Sequence, residues 1–383
     1  MNLLVTDRPS AVLPGQLPPA ARGDAVRVLF LSLDVLGWST SSHQLISVAA
    51  ARKDIVAVHV LVRPPLWMKV LNRHVPGVTD HLFQPNQTWQ WLIRRWLTGP
   101  LDGRRFDVVH ANPQMLAGAP AALKDRLGYR LSVACDTTDR QYRRELARVS
   151  VPRTDRDARV FAAADLIASL STWCARSLAD NYGVDSSKIL LTPPTVATPL
   201  DVVPTPSDDR PKRIVFVGND FARKGGPRLL AWHQARWAAR GVELHVASAE
   251  AADHAPAAKV VFHGRLDHKR VIELIRTCDV MVHPTTNDMS ALVVAEAATL
   301  GVPAVASRLA GIPDLVRDGE SGYLVDPHDD QGFIDATERA LFDDTLRARL
   351  SHGARTFARD VLDTNVVYGR LMDRIVDLVP SPM

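Results

Sequence analysis

Two acidic residues, Asp288 and Glu296, stand eight positions apart in the stretch MVHPTTNDMSALVVAEAATLGVPAVAS, residues 281–307. The order of residue types predicts a strand over 280–283, a polar loop, a helix opening near Ala291, a turn from Gly301 to Pro303 and a second strand. Such a helix aims its free amides and positive dipole end past the carboxyl edge of the strand, where an anion is held. Carboxylates beside that point accept protons from hydroxyls. An anion and several hydroxyls on one molecule describe a sugar nucleotide, so the stretch reads as a ligand site. Glu296 has Val293, Val294, Ala297 and Ala298 as neighbours, and a carboxylate in apolar company needs a partner. A ribose diol is one; a nearby backbone group or arginine is another. Asn287-Asp288 also makes a good turn.

A second constellation is VGNDFARKGG, residues 217–226, between a predicted strand and a predicted helix. Gly218, Gly225 and Gly226 permit close backbone approach, while Arg223 and Lys224 bring two cations to the turn. A diphosphate leaving from that helix start would be neutralised there. The plainer reading is a tight turn with solvated basic residues.

These motifs need scaffolding, and the rest of the chain supplies it. With 383 residues, two domains are expected. Apolar residues make up 46% and charged residues 23%, as in ordinary globular proteins. The net charge of +4 is small and not massed in one tail, which argues against nucleic acid as a partner. Cys135, Cys174 and Cys278 lie far apart without metal-ligand spacing, so neither a disulfide framework nor a metal site is expected. No apolar run is long enough to span a bilayer, and residues 1–24, with Pro9, Pro14, Pro18 and Pro19, read as a flexible leader rather than a signal peptide. A cytoplasmic protein is expected.

From Ala25, strands predicted at 26–33, 55–62, 106–111, 130–135, 165–169 and 188–192 alternate with helical segments, and a polar turn is predicted around Gly37. This predicts a doubly wound α/β domain over 25–192. Six prolines between residues 193 and 211 mark a linker. Alternation then restarts over 212–360, and helices close the chain, with 361–383 as the last segment. Two Rossmann-like α/β domains joined this way are expected to face each other across a cleft.

With both motifs and this alternation in place, the sequence resembles the GT-B retaining glycosyltransferases of family 4. The resemblance is carried by FDVVHAN, by VFAAADLIASLSTWCARSLADNYGVDSSKILLTPP, by FVGNDFARKGG, and by the block from HGRLDHKRVIELIRTCDVMVHPTT to EAATLGVPAVASRLAGIPDLVRDGESGYLV. It implies that Lys224 and Arg223 hold the donor diphosphate, with Gly218 and Asn219 in the turn before them. It implies that Glu296 binds the ribose and that Asp288 contacts the donor sugar. The amides of Ser290, Ala291 and Leu292 would meet phosphate and sugar oxygens, and Gly264-Arg265-Leu266 would hold the base. On the acceptor side it points to Gly37, His110 and Asp136, and it implies a C-terminal helix that packs back on the first domain. The implied reaction moves a sugar from a nucleotide-sugar to a hydroxyl of a saccharide, glycolipid or small glycoside, with retention and without an essential metal or cofactor.

The chain departs from the family pattern in places. The first acidic position is Asp rather than Glu, Ser290-Ala291 replaces the usual pair after it, and Asn219 stands where many members carry an arginine. Only Gly37 represents the acceptor-side glycine loop, and Asp136 stands where many have His. These departures keep two other readings open, a non-catalytic nucleotide- or glycan-binding protein and a nucleotide-sugar epimerase. His110 is equally readable as a core histidine. Residues 67–99 mix Trp67, Trp89, Trp91 and Trp96 with Lys69, Arg73, Arg94 and Arg95. That mixture suits peripheral contact with the inner membrane face and a lipid-linked acceptor, or tryptophans packed inside the first domain. Asp155-Arg156-Asp157 is read as a helix start rather than a metal site.

Overall fold

Apolar runs buried on both faces build two parallel sheets in the computed structural model, which describes residues 2–6, 25–34, 36–62, 87–146, 157–196, 210–250 and 257–380. The first contains β1 (Asn2–Thr6), β2 (Val26–Leu33), β3 (Ile55–Val62), β4 (Val108–Asn112), β5 (Arg130–Cys135), β6 (Leu166–Ser169) and β7 (Ile189–Leu191). Their order is β1-β3-β2-β4-β5-β6-β7, every pair parallel. Val28, Leu29, Phe30 and Leu31 of β2 are fully buried, as its unbroken apolar run requires when helices cover both faces.

The second sheet contains β8 (Arg213–Val217), β9 (Glu243–Ala247), β10 (Val260–Phe262), β11 (Val280–His283), β12 (Ala304–Ser307) and β13 (Gly322–Val325). The order is β10-β9-β8-β11-β12-β13, again all parallel. The chain winds outward from β8 in one direction and from β11 in the other. The strand order therefore reverses between β8 and β11, and their following loops are left side by side at the carboxyl edge. That reversal is where open parallel sheets bind ligands.

The contacts divide the chain into two units, residues 1–192 with 367–383, and residues 193–366. The last helix, Thr364–Val376, returns to the first sheet, where Val367, Leu371, Met372 and Ile375 are buried with Val28, Phe30 and Leu45. Each such aliphatic side chain contributes roughly 1.5–3 kcal/mol. The ion pair Arg52–Asp373 on the same helix lies near the surface and contributes about 1 kcal/mol or less. Apolar packing is what holds this helix.

Two expectations are corrected. Residues 2–6, read as part of a flexible leader, form β1 and pair in register with residues 58–62 of β3; residues 7–24 lie outside the described residues. Gly37 is not in a turn but in the first turn of the helix Leu36–Ala51. Of the Trp-rich stretch, 67–86 lies outside the described residues, as do most of the proline-rich linker and Asp155-Arg156. In the described helix Gln87–Leu97, Trp96 is buried and Trp91 is 55% exposed beneath the Arg95 guanidinium. Among the described residues no helix is long and apolar enough to cross a membrane.

Candidate active site

The loop after β8 is shaped by glycine. Gly225 has φ +83° and caps the helix Gly226–Arg236. A Cβ there would lie 2.1 Å from the carbonyl oxygen of Pro284, the residue after β11. A Cβ on Gly226 would meet the ring of Phe221 at 2.1 Å. The absence of side chains at these two positions lets the Arg223-Lys224 turn settle against the β11 loop. Polar contacts then pin the two loops together. Thr285 Oγ1 donates to the Arg223 carbonyl at 3.3 Å, and the Asn287 amide donates to Thr285 Oγ1 at 3.2 Å. Ser307 Oγ, at the end of β12, donates to the Thr285 carbonyl at 2.6 Å.

This packing brings Lys224 and Asp288 together. Lys224 Nζ lies 3.4 Å from Asp288 Oδ2, with the two side chains 21% and 12% exposed. His283, at the end of β11, reaches the same oxygen with Nε2 at 3.4 Å. Burial pushes the His283 imidazole below its ordinary range, even though Asp288 pulls the other way. It is neutral near pH 7, so the ring nitrogen facing the carboxylate must carry the proton. Burial would also raise Asp288, but His283, Lys224 and Arg223 together outweigh it and hold the carboxyl below the usual range. An ionised Asp288 is thus held between a cation and a neutral donor.

Arg223 is anchored differently. Its Nε donates to Asp220 Oδ2 at 2.7 Å and its Nη1 to the Asn287 carbonyl at 2.5 Å. Gly218 is buried and Asn219 exposed in the same loop. Ser290 and Ala291 precede the helix Leu292–Thr299, whose Ala291 cap makes no side-chain hydrogen bond, so its first amides are not capped from the side.

Glu296 is the fifth residue of that helix and only 5% exposed. Its Oε1 accepts from His268 Nε2 at 2.8 Å. Gly264, at φ +64°, turns the chain just ahead of His268; Arg265 is exposed, and Leu266 packs on the core that holds the Glu296 helix. Sequence reasoning singled out Lys224, Asp288 and Glu296 as candidates but not His283 or His268, which the fold sets against two of them. His283 had a faint signal, a polar residue closing an apolar strand. His268 had none, because its partner is 28 positions away.

In the first unit the acceptor-side candidates His110 and Asp136 sit in different surroundings. His110 is 1% exposed, with Nδ1 2.9 Å from Ser132 Oγ and its ring edge-on to Phe30 at 5.6 Å. Burial pushes its pKa down to about 3, so it neither takes nor gives a proton near neutrality. Asp136 follows β5, and burial pushes its carboxyl up to about 6 against opposing bonds from its own and the Thr137 amides and from Gln114. The folded state therefore binds a proton between about pH 4 and 6 that the unfolded chain has released, and stability falls as pH rises through that window. Asp136→Asn should flatten this slope and leave the protein more stable than the wild type at pH 7. Urea unfolding from pH 4 to 7 measures it, and an unchanged slope would contradict the assignment.

Comparison with known proteins follows the same division. A family model described as Glycosyl transferases group 1 matches residues 201–357, and one described as Glycosyltransferase Family 4 matches residues 37–198. A D-inositol 3-phosphate glycosyltransferase of Acidothermus cellulolyticus is 30% identical over 301 residues, covering 70% of this chain and 66% of that protein. The protein of that name from Xylanimonas cellulosilytica is 29% identical over 284 residues, 66% of this chain and 68% of its own length. The chain thus spans about two thirds of these relatives. Among solved structures, sucrose-phosphate synthase from Thermosynechococcus elongatus matches with a TM-score of 0.72 at 16% identity, covering 92% of this chain and 100% of that one. An Anabaena protein in complex with UDP and glucose matches with a TM-score of 0.68, also at 16% identity and with the same coverage. At such identity the likeness is one of fold, and the fold is GT-B.

Proposed function

Because the chain belongs to the family 4 glycosyltransferases of glycosyl transferases group 1, we propose that it moves a sugar from a nucleotide-sugar to an acceptor hydroxyl with retention of anomeric configuration. The observation that carries this reading is the Lys224–Asp288–His283 cluster at the strand-order reversal. A diphosphate carries more negative charge than one carboxylate, so it draws Lys224 toward the leaving oxygens. Arg223, already held by Asp220 and Asn287, adds a fixed positive charge beside them. Asp288, still held by neutral His283, is then free to accept a hydroxyl of the donor sugar. Glu296 accepts from the ribose.

In the reaction the bond from the anomeric carbon to the diphosphate breaks, and the acceptor oxygen bonds to that carbon on the same face. The acceptor proton passes to the departing diphosphate. Charge develops on the leaving group, where Lys224 and Arg223 stabilise it without a required metal. Arg223 also answers the Asn219 departure, since it supplies the second cation from four positions later.

The solved relative with UDP and glucose makes uridine nucleotides the first donors to test, and the curated names make D-inositol 3-phosphate the first acceptor. A ligand present at about 100 times its dissociation constant stabilises a fold by roughly 2.7 kcal/mol. Thermal unfolding against UDP, GDP, ADP, TDP and CDP should therefore single out one base. Turnover of its sugar conjugate, with the product's anomeric configuration read by NMR and with EDTA present, then tests transfer, retention and metal independence. A panel with no stabilising nucleotide would sink the donor-site reading. Binding without transfer or donor hydrolysis would favour a non-catalytic protein, which the Asp288 and Ser290-Ala291 departures leave as the second reading.

A further inference from the structure

The sequence gives His268, inside the stretch HGRLDHKRVIEL, no role of its own, yet it makes the described hydrogen bond to Glu296. We infer that His268 is a positioning residue for ribose recognition, locking the Glu296 carboxylate through Oε1 so that its second oxygen is presented to the diol. The inference rests on the donor-site reading above and deepens it.

Glu296 lies among Val293, Val294, Ala295, Ala297 and Ala298, all buried, and its own side chain is 7% exposed. A carboxylate in such surroundings needs strong hydrogen bonds. Among the described residues its hydrogen bond and ion pair both run to His268, from Nε2 to Oε1 at 2.8 Å. A carboxylate has about four acceptor directions, so one donor on Oε1 leaves Oε2 for a hydroxyl. The His268 side chain is 64% exposed.

The backbone beneath His268 is fixed as well. It is the first residue of the helix His268–Arg276, and the preceding Asp267 caps that helix by accepting from the Arg270 amide at 2.9 Å. Leu266, two residues before, packs against the core that includes the Glu296 helix. One short segment therefore carries both the turn expected at the base and the side chain that orients the ribose acceptor. The Glu296 hydrogen bond also raises the His268 pKa above its ordinary value, which strengthens the donor near neutrality.

The test uses isothermal titration of the full chain with the nucleoside diphosphate that stabilises it most, and with inorganic pyrophosphate as a probe that lacks ribose. His268→Ala should weaken the nucleoside diphosphate about tenfold, the scale of one hydrogen bond to a charged group, and leave pyrophosphate unchanged. His268→Gln, whose amide still donates, should recover much of the loss. Adding His268→Ala to Glu296→Gln should cost little more, because the two act through one carboxylate. Unchanged or tighter nucleotide binding in His268→Ala would overturn the inference, as would an equal loss for both ligands. A wild-type chain that binds pyrophosphate but no nucleoside diphosphate would instead refute the donor-site reading, and this inference with it.

Discussion

Replacing Lys224 with alanine is expected to lower sugar transfer by roughly 10²- to 10³-fold, the effect of deleting one group aimed at developing charge. The loss should fall on kcat more than on the donor KM, because the negative charge on the leaving diphosphate is largest in the transition state. The structure adds a second consequence. Lys224 is one of the charges that hold Asp288 ionised while 12% exposed. Without it Asp288 keeps only the hydrogen bond from neutral His283 and the more distant Arg223, so its pKa should rise toward the ordinary range. A carboxylate with a depressed pKa adds stability above its unfolded value and loses it as pH falls through its folded value. Lys224→Ala should therefore unfold at a higher pH on acid titration than the wild type. Steady-state kinetics with the productive donor, paired with acid unfolding, checks both. A variant that kept full transfer activity would remove Lys224 from the mechanism.

Gly225→Ala should be the most destabilising single-methyl change in the second unit. Alanine at φ +83° costs roughly 1–2 kcal/mol in the left-handed region, and its Cβ would stand 2.1 Å from the Pro284 carbonyl oxygen. That neighbour is backbone in a loop pinned by Thr285 and Ser307, so it cannot rotate away as a side chain would. Overpacking adds about 1–3 kcal/mol, and the sum corresponds to a Tm fall on the order of 10 °C. Gly241→Ala supplies the control. Its φ of +76° is similar but its Cβ would meet nothing within 4 Å, so it isolates the backbone term. Calorimetry should show Gly225→Ala clearly below Gly241→Ala, and nucleotide binding should fall with it as the Lys224 turn is pushed off the β11 loop. Equal shifts for the two variants would mean that the loops are not in register as described.

Much of this molecule was written in local pattern. The apolar runs that become β2, β3, β8 and β11 read as parallel strands because helices on both faces demand unbroken hydrophobicity. Glycines 225 and 226 with Arg223 and Lys224, and Glu296 in apolar company, pointed to the candidate site for the same reason: each is a local conflict that a ligand or a close approach resolves. Proximity was not legible. That Lys224 and Asp288 meet follows from β8 and β11 being neighbours, which strand order alone decides. His283 gained its role when burial stripped its charge and Asp288 came within reach. His110 showed the reverse, a histidine at a promising strand position that the fold encloses beside Phe30 and Ser132. β1 escaped notice because Asn2–Thr6 pairs at the sheet edge across an intervening stretch of proline-bearing sequence. Sequence by itself determined which residues had chemistry to offer, since side-chain type and spacing are local properties. Only the tertiary structure decided which of them act on one another, because burial and contact between distant positions exist nowhere but in the folded chain.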